Sequence, residues 1–91
     1  MDYSSLIHTI VDPFITSPEN LLIKNITSDD GKADLTFLIC ADNNDIARLI
    51  GKKGVVANAI RDIVSIAGKL ENKKVRIKFE SFDEENKEEG K

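Results

Sequence analysis

Tyr3, Leu6, Ile7, Ile10, Val11, Phe14 and Ile15 recur at three- and four-residue steps, the spacing that lays one apolar stripe along a helix. Pro13 removes a backbone donor inside that stripe, so the helix is expected to kink or restart there, and Ser17-Pro18 to end it. From Leu21 to Ile26 the pattern changes to a run of apolar and β-branched residues, which predicts a strand. Asp29-Asp30-Gly31-Lys32 predicts a hairpin turn, with glycine supplying positive φ. A second strand is predicted over Ala33 to Ala41. Its run Leu35-Thr36-Phe37-Leu38-Ile39-Cys40 is almost continuously apolar, as expected of a central strand covered at least partly on both faces.

Asn43, Asn44 and Asp45 offer N-cap chemistry to a short helix carrying Ile46, Leu49 and Ile50. Val56, Ile60, Ile63, Ala67 and Leu70 mark a longer helix, roughly 25 Å at about 1.5 Å per residue. Gly68 is expected to weaken its last turn. Val75, Ile77 and Phe79 alternate with Lys74, Arg76, Lys78 and Glu80, the period of an amphipathic strand. The order is α-β-β-α-α-β. The hairpin sets the first two strands antiparallel, and a right-handed crossover through the two helices sets the last strand parallel to the second. The fold class is α+β, a three-stranded mixed sheet with helices on one face. Residues 1–82 make one domain. The tail from Asp83 to Lys91 has no apolar residue and is expected to be disordered.

Composition changes the picture mainly through charge. The net charge of −3 conceals a strong division along the chain. Residues 1–47 hold two lysines against eight acids, residues 48–78 nine cations against Asp62 and Glu71, and residues 79–91 two lysines against six acids. A basic middle on an acidic chain can still attract phosphate, because the field near the site governs encounter. No apolar run approaches the roughly 20 residues of a membrane helix. Asp2, His8 and Asp12 interrupt the N-terminal apolar positions, which excludes a secretory signal. A lone Cys40 excludes an internal disulfide and suits a reducing, cytoplasmic location.

Catalytic chemistry finds little support. His8 has no neighbouring partner, Cys40 falls in a strand, and no Cys/His set has metal-ligand spacing. Asp29-Asp30 and Glu84-Glu85 belong to a turn and a tail, where carboxylates stay solvated. Neither an enzyme, a metal nor a cofactor is expected.

Leu49-Ile50-Gly51-Lys52-Lys53-Gly54 carries the chemistry instead. Two glycines three apart allow a sharp turn and close backbone approach to a ligand, and two lysines between them add positive charge. The second glycine opens the long helix, whose free N–H groups and dipole favour an anion. By itself Gly-x-x-Gly is common, and a helix–helix turn with a glycine C-cap uses the same residues.

With strands on both sides, the helix–Gly-x-x-Gly–helix unit resembles a type II KH domain, and residues 1 to about 82 resemble the small bacterial single-KH RNA-binding proteins of the KhpA type. The resemblance rests on Asp45 to Arg61: an apolar pair, Gly-x-x-Gly, then an alanine and an isoleucine–arginine on the second helix. It departs at Val55 and Asn58, where basic residues facing RNA are expected. The resemblance implies single-stranded RNA held in a groove by Gly51, Lys52, Lys53 and Gly54. Ile50, Val55 and Ala57 would lie along an apolar floor, with Arg48, Asn58 and Arg61 on the rim. It implies a post-transcriptional regulator or RNA chaperone, acting as a homodimer or with a larger KH-containing partner. Tyr3, Phe14, Phe37 and Phe79 sit on apolar stripes and are expected in the core, leaving little base stacking.

Two other readings stay open. Ile46, Ala47, Ile50, Gly51 and Ile60 match the spacing of a DNA-binding helix-turn-helix, although Lys52 and Gly54 and the flanking strands fit it poorly. A protein-interaction or dimerisation module without RNA binding is the third.

Overall fold

The computed structural model describes residues 1–27 and 34–82. Helix α1 spans Tyr3–Val11 and is capped by Asp2, whose carboxylate accepts the Ser5 N–H at 3.1 Å. As the sequence predicts, the helix gives way at Pro13, which occupies a short 3-10 turn over Asp12–Phe14. A second such turn, Pro18–Asn20, leads into strand β1 at Leu22–Asn25. Then come β2 at Asp34–Ala41, α2 at Asn43–Ile50, a 3-10 turn at Lys52–Gly54, α3 at Val55–Leu70 and β3 at Lys74–Ser81. The expected hairpin turn at Asp29–Lys32 and the acidic tail from Asp83 lie outside the described residues.

The sheet has the order β1-β2-β3. β1 runs antiparallel to β2, with Leu22 opposite Cys40 and Asn25 opposite Phe37. β3 runs parallel to β2, with Asp34 opposite Lys74 and Ala41 opposite Ser81. Both pairings and the crossover follow the predicted topology. Period-2 alternation divides the faces. Phe37, Ile39 and Ala41 of β2 and Val75 and Ile77 of β3 are buried together with Ile7 and Val11 of α1, Leu49 of α2 and Ile60 and Val64 of α3. The opposite face carries Lys24, Lys74, Arg76 and Lys78, all exposed, around the half-buried Leu38.

Four expectations need correction. Asn43, Asn44 and Asp45 do not cap α2. Its N-cap is Asp42, which makes no side-chain cap bond, and Asp45 is fully buried and turned toward the segment after α1. Phe14 is 36% exposed, because the 3-10 turn rotates it off the α1 stripe. On α3 the core stripe is Ala57, Ile60, Val64 and Ala67, so Ile63 and Leu70 face outward, Leu70 at 79% exposure. Gly68 is no flaw in the helix either. A Cβ there would lie 2.7 Å from the Lys73 carbonyl oxygen and 2.8 Å from Val75 Cγ2, so its absence lets β3 close directly onto α3.

Candidate functional site

The loop between α2 and α3 is built from unusual backbone. Gly51 lies at φ 75°, ψ 177°, Lys53 at φ 57°, ψ 24°, and Gly54 at φ 78°, ψ 14°. Three of four consecutive residues therefore adopt positive φ. The Gly51 N–H closes α2 onto the Ala47 carbonyl at 2.9 Å, and the Gly54 N–H bonds the Gly51 carbonyl at 3.1 Å. The two glycines serve different needs. A Cβ on Gly51 would meet Val56 Cγ2 at 2.5 Å, and its dihedrals belong to a region essentially reserved for glycine. Gly54 has open space where a Cβ would go, so only its left-handed backbone favours glycine.

Lys52 and Lys53 are exposed at the tip. Behind them α3 begins at Gly54, and no side chain caps it. This contrasts with α1, where Asp2 occupies the capping position. The first N–H groups of a sixteen-residue helix thus face the loop with two ammonium groups beside them, a combination that favours an anion.

Asp45 holds the first helix of the pair in place. Its carboxylate accepts the Thr16 N–H at 3.1 Å, the Thr16 hydroxyl at 2.8 Å and the Ser17 N–H at 3.1 Å. Burial alone would raise this carboxyl's pKa. The bonds from Thr16 and Ser17, with the charge of Arg48, outweigh burial and hold it below the ordinary aspartate value. Asp42 accepts Asn20 Nδ2 at 3.1 Å, a second tie between α2 and the same segment.

The residues expected to line a groove divide into three sets. Ile50 is half-exposed, Val55 is 62% exposed, and Ala57 is buried beneath the loop. Asn58 and Arg61 are exposed on α3, and the Arg61 guanidinium sits 5.3 Å from the centroid of the Phe79 ring. Arg48 is exposed one turn before the loop, and its charge also supports Asp45. Phe79 is only half-buried, so it forms the wall of a groove rather than the centre of the core.

Sequence reasoning missed the far wall. Between α3 and the free edge of β3 runs a trough of about 390 Å³, lined among others by Arg61, Ser65, Arg76 and Lys78. The alternation along β3 placed its cations on one face. Nothing in that period says that β3 is an edge strand lying beside Arg61. The described residues contain no group of three or more His, Cys, Asp or Glu side chains able to hold a metal. Cys40 is a buried free thiol, its pKa raised first by burial and then by Glu80. No helix is long and apolar enough to cross a membrane among those residues.

A β-α-α-β unit with Gly-x-x-Gly joining its helices and an N-terminal α-β extension completing the sheet defines a type II KH domain. The family model "KhpA/KhpB, KH domain" matches residues 4–79, and the chain belongs to that family. It is 36% identical over 74 residues to "RNA-binding protein KhpA" of Listeria monocytogenes, covering 81% of this chain and 93% of that protein. The protein of that name from Streptococcus pneumoniae is 41% identical over 73 residues, covering 80% and 87%. The Lactiplantibacillus plantarum protein is 31% identical over 85 residues, covering 93% and 96%. Helices α2 and α3 are thus the paired helices of a KH domain, which removes the helix-turn-helix reading.

Proposed function

We propose that the protein binds short single-stranded RNA, with the loop Gly51-Lys52-Lys53-Gly54 on the phosphates and bases laid in the trough between α3 and β3. The observation that carries this reading is the uncapped start of α3 beside two exposed lysines, on a backbone that three positive-φ residues hold open. Arg61 over Phe79 supplies a cation and an apolar surface at the height where a base would lie. Ile50, Val55, Ala57 and Asn58 would floor the groove and Arg48 its loop end. The relatives' printed name, RNA-binding protein, agrees. Binding rather than catalysis, in the cytoplasm and in the service of post-transcriptional regulation or RNA chaperoning, is the role this supports.

The groove leaves another surface unused. Val55, Ala59, Ile63, Ile66 and Leu70 recur at three- and four-residue steps on the exposed side of α3. Ile66 is 60% and Leu70 79% exposed. Such a stripe is the seam of a helix pair, so we propose a second copy of the chain as its partner, with a larger KH-containing protein as the alternative.

Salt dependence of RNA binding tests the first proposal. Lys52, Lys53 and Arg61 neutralising two to three phosphates give a slope of log K against log salt of roughly −1.4 to −2.1, at about −0.7 per contact on a single strand. Lys52→Asp with Lys53→Asp should abolish binding without altering the circular-dichroism spectrum, since both side chains are exposed. Parental affinity in that variant would remove the loop from the interface.

A further inference from the structure

The trough beside β3 continues past the groove. Ser65, Lys74 and Val75 line both it and a larger space of about 670 Å³ between the end of α3 and the start of β3. Lys69, Lys73 and Lys74 converge there, with Asp62 and Asn72 on the same walls.

The fold forces this convergence. Asn72 takes φ 60°, and the Lys73 N–H returns to the Gly68 carbonyl at 2.8 Å while the Asn72 N–H bonds Lys69 at 3.1 Å. This is the tight αL termination of a helix, and Gly68 lets the following strand turn straight back along α3. Three exposed ammonium groups end up around one corner. None of them has an acid within ion-pair distance among the described residues. Of the two acids near the space, Asp34 is engaged by Arg76 at 3.7 Å, leaving Asp62 as the nearer counter-charge. Like charges gathered without counter-ions repel each other, and a polyanion relieves that repulsion.

We infer that RNA leaving the Gly-x-x-Gly groove continues along α3 and sets its next phosphates on Lys69, Lys73 and Lys74. The inference rests on the RNA-binding reading above. From Gly54 to Lys69 the helix rises about 22 Å, at about 1.5 Å per residue. A strand as compact as one strand of a duplex, about 3.4 Å per phosphate, covers that in about six phosphates. The Gly-x-x-Gly loop of a KH domain clamps four nucleotides. The site therefore extends beyond the usual length, and the corner lysines hold the extension.

Unstructured oligoribonucleotides of four and nine residues, titrated by fluorescence anisotropy at several salt concentrations, test this. Two further phosphate contacts steepen the salt slope for the longer RNA by about 1.4. The long-to-short affinity ratio should then fall about sevenfold between 50 and 200 mM salt. Lys69→Gln with Lys73→Gln should abolish that difference in slope and leave the four-residue RNA bound as before. Lys69→Glu with Lys73→Glu should weaken the longer RNA further, with circular dichroism reporting an intact fold. Equal slopes for both lengths, or an unchanged slope difference in the folded glutamine variant, would overturn the extension. In either case the Lys52→Asp, Lys53→Asp protein separates the two readings. If it loses the four-residue RNA, loop binding stands and only the extension fails. If it binds both lengths like the parent, both readings fail together.

Discussion

At the scale of single residues, Asp45 does most to fix the geometry of the candidate site. A buried carboxylate that accepts two backbone N–H groups and a hydroxyl leaves those donors without partners once its charge is removed. Asp45→Asn should therefore cost roughly 2–3 kcal/mol, the range for hydrogen bonds to a charged group, or about 10–20 °C in melting temperature for a domain of this size. The sign of its pH dependence follows from the depressed pKa. The contribution is complete above the unfolded value near 3.8 and disappears as pH falls through the lower folded value. The gap between parent and Asp45→Asn should thus narrow below about pH 4, and parallel chemical-denaturation curves would check it. The loop glycines give a second contrast. Gly51→Ala should destabilise strongly through its contact with Val56, whereas Gly54→Asn should be nearly silent, since asparagine tolerates left-handed backbone. Thermal melts of the two proteins decide this. The acid in the first turn of α2 was visible in the sequence. Its partners at Thr16 and Ser17 were not, because a contact across 29 positions leaves no mark on local spacing.

Among the elements, α3 shows why periodicity located the helix but misassigned its faces. Val56, Ile60, Ile63, Ala67 and Leu70 predict a helix whichever of them is buried, because α3 carries apolar residues on two sides. Only the packing of α1 and the sheet shows which side is inside. The loop residues were legible, since Gly-x-x-Gly with two lysines has a local meaning. The β3 wall was not, since edge position is a property of the sheet. Gly68 makes the difference measurable. Helix propensity alone says that Gly68→Ala should stabilise by about 1 kcal/mol. Contact with the Lys73 carbonyl says that it should instead destabilise, by roughly 1–3 kcal/mol, as overpacking does. Urea denaturation of that variant gives the sign directly.

For the whole molecule, the α-β-β-α-α-β order and both strand pairings could be reasoned from hydrophobic pattern and handedness. Assembly could not, because an exposed apolar stripe becomes visible only once the core has been assigned. Ile66→Asp on that stripe should shift the protein from dimer to monomer in analytical ultracentrifugation. Its far-ultraviolet circular dichroism should stay unchanged, since Ile66 contributes little to the core. The parallel strands carry a different consequence. Every partner pair between β2 and β3 joins residues forty positions apart, as Asp34 with Lys74 shows, and the Gly-x-x-Gly turn lies inside the segment that must be looped out. Chain entropy makes that closure the slow step of assembly, well behind the neighbouring α2–α3 contact. A ligand gripping the turn would then act as a clasp on the crossover, and the exchange of β3 amide hydrogens with solvent is where its hold would be felt.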